Sequence, residues 1–483
     1  MSSVDVGLSC CCHALWVRLL QAPDAFATHA DGAAAFPVCG CSNVLPASVD
    51  VQRDYFSESS RSAVRAAFST WSLDECQAWL ADGRQGLGLQ LSLEEETGKF
   101  FPSSNSSAEV RDRLLAACAR HGVGLRYGAA VVGLHQQQQQ EEGEKGSGGE
   151  ARGGWRCVLQ DGSQLAARRV ILATGGKSYP TLGTTGDGWR LLEQLGHTLH
   201  APYPALTPLL GTHPGQAQLA GISLYSAQVS VSSAATGAGG NGSGSPRQGS
   251  GRGAKARQLQ QAERSDLLFT HRGWSGPGED SMHVGQCAAL PALHLTSAPS
   301  WSFVWAAYAA AILDVSHHMA MAMDRGQPLP AVSVRWTHDD ATAWDRHLAA
   351  GSGGAALVPH VLRRHGLPHR LAEALVVEVG LPPDRKVAEL RRGERQALLE
   401  ALAGWLLPVS SHGGFAKAEV TGGGLPLEQV NCRTLESRLR PGLHIVGELL
   451  DVTGRVGGFN FFWAFLTGRA AGLAAAAVPA ERG

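Results

Sequence analysis

Two stretches of the 483-residue sequence put glycines directly after apolar runs, where a backbone without a Cβ can approach a ligand closely. In the first, Val170-Ile171-Leu172-Ala173 delivers the chain to Thr174-Gly175-Gly176. Gly183, Gly186 and Gly188 then surround Asp187 ahead of a helix expected over Trp189 to Gly196. In the second, a strand expected over Gly442 to Glu448 ends at Gly447-Glu448. A loop with Asp451, Gly454, Gly457 and Gly458 follows, and a long apolar helix starts at Phe459 or Asn460 and runs to Ala477. Both read as strand, glycine loop, helix. The free amides of a helix N-terminus stabilise an anion, or negative charge developing on a bound ring. As structure alone, each segment also reads as an ordinary strand-to-helix turn.

Acid, base and nucleophile candidates are few. Tyr179, just after the first glycine turn, and His271, in the segment LLFTHRGWSGP, are each able to donate a proton to a reduced alkene or carbonyl. Their alternative roles are packing at the Tyr179-Pro180 turn and hydrogen bonding at a domain junction. His317 and His318 are adjacent, so on a helix they diverge and make a poor metal pair. The cysteine clusters Cys10-Cys11-Cys12 and Cys39/Cys41 lack the paired spacing of zinc sites, so no metal is expected and the thiols read as reduced. No Ser/His/Asp set or paired carboxylates stand out, and Glu94-Glu95-Glu96 reads as a solvated charge run.

The elements that must position these residues follow from periodicity. Apolar residues recur at helical intervals from Val64 to Leu80 and from Val110 to His121, the latter with an N-cap in Asn105 to Ser107. Ala129 to Leu134, Trp155 to Leu159 and Val170 to Ala173 read as strands, with Asp161-Gly162 as a turn. Residues 341–407 read as helical with short breaks. The tracts 136–154 and 234–261, rich in Gln, Gly, Ser and charge, read as structureless inserts.

Composition narrows the function classes. Lys plus Arg number 41 against 42 Asp plus Glu, a formal net charge of −1, so no global field draws the protein to nucleic acid or an anionic membrane. The longest apolar stretch, Trp301 to Leu313, is shorter than the ~18 residues that span a bilayer. No secretory signal is visible, so a cytoplasmic or organellar location is expected, with plastid and mitochondrion not distinguished.

Four blocks in order resemble the BaiN/RdsA-type flavoproteins, a mostly bacterial family with members described as bile-acid reductases and aminoacetone oxidases. They are ATGGKSYPTLGTTGDG with GHTLHAPYPALTPL, LLFTHRGWSGP, AEVTGGGLPLEQVNCRTLESRL and GELLDVTGRVGGFN. The weaker match GKFFP, Gly98 to Pro102, and Cys41-Ser42-Asn43 extend the resemblance over residues 39–472 with gaps.

The resemblance implies an α/β fold, a doubly wound FAD-binding domain interrupted by a β-rich and helical substrate domain. Its parts would be 39–208 and 416–483 for FAD, 209–337 for the β-rich domain and 338–415 for the helical subdomain. It implies FAD as cofactor, NAD(P)H as electron donor and a small unsaturated or carbonyl substrate. Thr174, Gly175 and Gly176 would line the FAD; Gly447, Glu448, Asp451, Gly457, Gly458 and Asn460 would close over its ribityl and isoalloxazine parts.

Two departures accompany it. The family's opening G-x-G-x-x-G turn has no counterpart in the right context, so residues 1–38 read as an atypical segment and the first βαβ unit as incomplete. Family members also run from SGP straight into an AILD-type helix start. Here Pro277 and Ala311 are separated by 278–310, which reads as a gene-model error, such as translated intron. The rival reading is a non-catalytic binding module that has lost its dinucleotide turn.

Overall fold

Val170–Leu172 and Leu443–Ile445, far apart in sequence, pair in parallel, with Val170 opposite Leu443 and Leu172 opposite Ile445. All six residues are buried, as a parallel pair covered on both faces requires. The computed structural model describes residues 43–477 except 96, 127–128, 138–153, 234–257, 262–264, 276–310 and 350–354. The anomalous segments 1–38 and 278–310 therefore lie outside the described residues. The mixture of helices and strands is α/β.

The parallel pair belongs to a unit made of the described residues up to Ala205 and from Gly414 onward. Beside it run an antiparallel meander of Val131–Gln136, Trp155–Leu159 and Gln164–Ala167, and an antiparallel pair of His200–Ala205 with Val420–Gly424. The helix Phe459–Ala476 packs against the parallel strands; its first half is buried on all sides through Phe461, Phe462, Trp463, Phe465 and Leu466, and in its second half Arg469 and Leu473 reach solvent. A stretch apolar all round has no solvent face, which is why this first half lies inside.

Local chemistry explains where the elements depart from their expected bounds. The run from Val64 to Leu80 is two helices, Arg61–Phe68 and Leu73–Ala81. Ser72 breaks it: its hydroxyl accepts from Glu75 N while Glu75 accepts from Ser72 N at 2.8 Å, a capping box that starts a new helix. The strand Gln164–Ala167, lying past the Asp161-Gly162 turn, has too weak an alternation to be read from sequence. Gln136 pairs with Trp155, so the first residue of the expected insert is already part of an antiparallel strand pair.

The second unit, Leu206–Gly413, is built on an eight-stranded antiparallel sheet. Its longest strand, Ser223–Ser232, pairs with Ser265–Phe269, Ala331–Arg335 and Gln258–Gln261. The last of these corrects the expectation that 234–261 is structureless throughout. Ala311–Asp324 packs on the sheet, and the helices Ala341–His347, Val358–Arg364, His369–Glu378 and Arg392–Ala403 follow. Trp405–Leu406, inside the stretch read as helical, and Val409–His412, inside the expected helical subdomain, are edge strands of the same sheet.

Candidate functional site at the glycine loops

The parallel strands bring the two glycine segments together at their carboxyl ends. Val446 N donates to Leu172 O (3.2 Å), and the Trp189 indole donates to Leu449 O (3.0 Å), tying the helix Asp187–Gln194 to the second loop. Gly176 must be glycine here: a Cβ would overlap Thr421 Oγ1 and stand 2.5 Å from Glu448 Oε1. Thr421 is the knot of this corner. Its hydroxyl accepts from the amides of Lys177 (2.8 Å) and Ser178 (3.1 Å), and its own amide donates to Glu448 Oε1 (2.7 Å). Glu448 is half-buried, and the loss of water around its carboxyl pushes its pKa above the ordinary value, against the opposing pull of the Thr421 and Gly176 groups.

Asp451 holds a second corner. Its Oδ2 accepts from the amides of Glu58 (2.9 Å) and Ser59 (3.1 Å), from the hydroxyls of Ser57 (3.2 Å) and Ser59 (3.3 Å), and lies 2.9 Å from His200 Nδ1. Burial raises its pKa, with the His200 contact working the other way. Gly458 caps the C-terminal helix at a left-handed φ of 86°, and a Cβ there would stand 2.7 Å from the Leu45 carbonyl carbon. Its N-cap residue offers no side chain and its first turn holds no acid, so among the described residues no side chain caps its opening amides. The Asn460 side chain turns back into the loop, accepting from Gly454 N (2.8 Å) and donating to Gly454 O (3.0 Å). Gly457, at φ 125°, packs against the buried Lys99.

A parallel strand pair whose ends lead through glycine loops into helices without a side-chain cap is one element of a Rossmann-type domain. Residues 40–474 match the HI0933-like protein Rossmann domain. The chain belongs to that family. Among relatives of this HI0933-like protein is a ribosomal RNA dihydrouridine synthase of Escherichia coli, 26% identical over 375 residues, 77% of this chain and 72% of the relative. The Haemophilus influenzae protein of the same name is 25% identical, over 79% and 75% of the two chains. A 3-dehydro-bile acid delta(4,6)-reductase of Clostridium scindens is 28% identical over 397 residues, 81% of this chain and 78% of the relative.

Within this family member the expected site residues divide. Thr174, Gly175, Gly176, Gly447 and Glu448 form one corner; Asp451, Gly457, Gly458 and Asn460 follow along the second loop. The Thr174 hydroxyl is buried with no hydrogen-bond partner among the described residues, and Gly188 leaves it room, since a Cβ there would overlap it. An unpartnered buried hydroxyl beside a strand end is a donor or acceptor in want of a group, so this corner fits a polar cofactor edge. Tyr179 is half-buried at a left-handed φ of 53°, and its amide donates to Phe415 O (2.9 Å). His271 belongs to the second unit, where it is exposed and its Nδ1 lies 3.3 Å from Gln218 Nε2.

Sequence reasoning passed over Thr421, Ser57, Ser59, His200 and Lys99. Thr421, Lys99 and His200 lie inside the quoted family-like blocks, and that membership is the signal the sequence offers for them. Glu58, His200 and Asp451 place ligand atoms within 4.8 Å of one another, as do Asp339, His347 and His365 in the second unit. His317 and His318 do not diverge as expected: their rings are 4.0 Å apart, and burial pushes His318 down to about 4. No helix among the described residues is long and apolar enough to cross a membrane.

Proposed function

We propose that this protein is an FAD-dependent oxidoreductase that adds hydrogen across a carbon–carbon double bond conjugated to a carbonyl, with NAD(P)H as electron donor. What carries the reading is the chemistry common to the relatives' names. Dihydrouridine is uridine with its ring double bond, next to a carbonyl, saturated. A delta(4,6)-reductase acting on a 3-dehydro steroid saturates double bonds conjugated to the 3-oxo group. The two substrates share little else.

In this reading the doubly wound sheet carries FAD at the carboxyl edge of Val170–Leu172 and Leu443–Ile445. FAD, when bound and reduced by NAD(P)H, would supply the hydride that the reaction needs. Thr174 offers its free hydroxyl, and Gly175, Gly176 and Gly447 give close backbone approach. Glu448 holds the Thr421 corner in place, and Asp451 and Asn460 shape the second loop, their side chains being taken up by protein groups. Gly457 and Gly458 open the C-terminal helix, whose first-turn amides stabilise negative charge on a ring edge. Tyr179 and His271 are the candidate donors of the proton that accompanies hydride to the alkene.

The acceptor double bond belongs to a free small molecule or, as a second reading favoured by the two relatives named for ribosomal RNA, to a pyrimidine in RNA. The purified chain, reconstituted with FAD, should show the absorption of an oxidised flavin, lose it on anaerobic addition of NADPH and regain it on adding a steroid enone. A protein that retains no flavin after reconstitution, or a reduced flavin that no conjugated alkene reoxidises, would overturn the reading.

A further inference from the structure

The helices Val358–Arg364 and His369–Glu378 of the second unit frame an open depression of about 580 Å³, lined by His360, Arg363, Arg364, Leu367 and His369. Arg363 and Arg364 are exposed there, and among the described residues neither guanidinium has a carboxylate or hydrogen-bond partner. Other arginines of the same unit are engaged. Arg385 pairs with Glu394 (3.3 Å), Arg395 with Asp345 (2.9 Å), and Arg370 donates to Gln218 O (3.1 Å) and Ala220 O (3.3 Å). Among the described residues, the acid paired with a lining residue is Glu373, 3.3 Å from His369 Nδ1. The ten-residue helix His369–Glu378 begins after Pro368 without a side-chain cap. A net charge of −1 over the whole chain thus conceals a local pair of cations without a carboxylate partner among the described residues.

We propose that this depression docks the phosphodiester backbone of an RNA strand, with Arg363 and Arg364 each gripping a phosphate; this rests on the RNA reading given above. A guanidinium fork matches two phosphate oxygens in one plane, which an ammonium cannot do. The His360 and His369 rings and the guanidinium planes offer faces on which unstacked bases rest, and Leu367 supplies an apolar floor. That interleaving of flat rings with cations favours RNA over an acidic peptide, which has no bases to stack.

The test uses the full chain and a labelled, uridine-rich single-stranded RNA, with binding followed by fluorescence anisotropy from about 50 to about 200 mM salt. In Arg363→Ala/Arg364→Ala, binding at low salt should weaken about tenfold or more. The slope of log affinity against log salt should become shallower by about 1.4, since each phosphate contact on a single strand contributes about 0.7. Arg391→Ala/Arg392→Ala, an exposed pair outside the depression, is the control and should bind as the wild type does. Equal losses in both double variants, no loss in the first, or weakened NADPH binding with RNA binding unchanged would overturn the proposal. Flavin content and steroid-enone reduction, measured without RNA, separate this outcome from failure of the proposed activity.

Discussion

At the scale of single residues, carboxylates at the glycine loops bind the protein's own backbone. Glu448 and Thr421 are 27 positions apart, and Asp451 meets His200 across 251. That both carboxylates matter is legible from their place in polar, glycine-rich loops; what they bond to is not, because the partners arrive from other segments. Loss of water makes Glu448 hold its proton to higher pH in the fold than in the unfolded chain. The folded state therefore loses stability as pH rises above the ordinary value of 4.5, until the carboxyl ionises in the fold as well. Glu448→Gln removes this titration and keeps an oxygen for the Thr421 amide. Urea unfolding from pH 4.5 to neutrality should show a smaller fall in stability for the variant than for the wild type. An unchanged slope would mean that Glu448 is ionised throughout. Asp451, also raised by burial, leaves a residual slope that begins near its ordinary value of 3.8.

At the scale of elements, the C-terminal helix shows how two glycines in one segment differ. Gly458 sits at φ 86° against the Leu45 backbone, whereas a Cβ on Gly472 meets nothing within 4 Å. Gly458→Ala should destabilise the protein by about 2 kcal/mol or more, through left-handed strain and overlap with main-chain atoms. Gly472→Ala should be neutral or stabilising by up to about 1 kcal/mol, since alanine favours a helix interior. Denaturant titrations of the two variants check both signs, and an unaffected Gly458→Ala protein would mean that the helix does not start against Leu45. Sequence periodicity places this helix and the strand Trp155–Leu159 at their observed positions. It merges Arg61–Phe68 with Leu73–Ala81 because both carry apolar residues in compatible phase, and only the Ser72 capping box separates them.

At the scale of the whole molecule, the segment between Pro277 and Ala311 is the main question. The strand Gly273–Ser275 and the helix Ala311–Asp324 both pack into the second unit, and the helix begins where the family-like sequence resumes. A chain lacking residues 278–310 should thus unfold cooperatively and melt within a few degrees of the full chain, as calorimetry would show. Loss of the cooperative transition would make the segment part of the fold.

By itself the sequence determined the family, the α/β class and the two glycine loops, because these depend on local order: a buried strand, a turn that needs no Cβ, an apolar helix. Tertiary structure alone decided that Thr421 and Glu448 lock Gly176, that Ser57 to Ser59 fold onto Asp451, and that Arg363 and Arg364 line one depression. Composition sums charge over the chain, and periodicity sees a few turns at a time. Hydrogen bonds and potentials act through space, between residues whose proximity only the folded backbone creates.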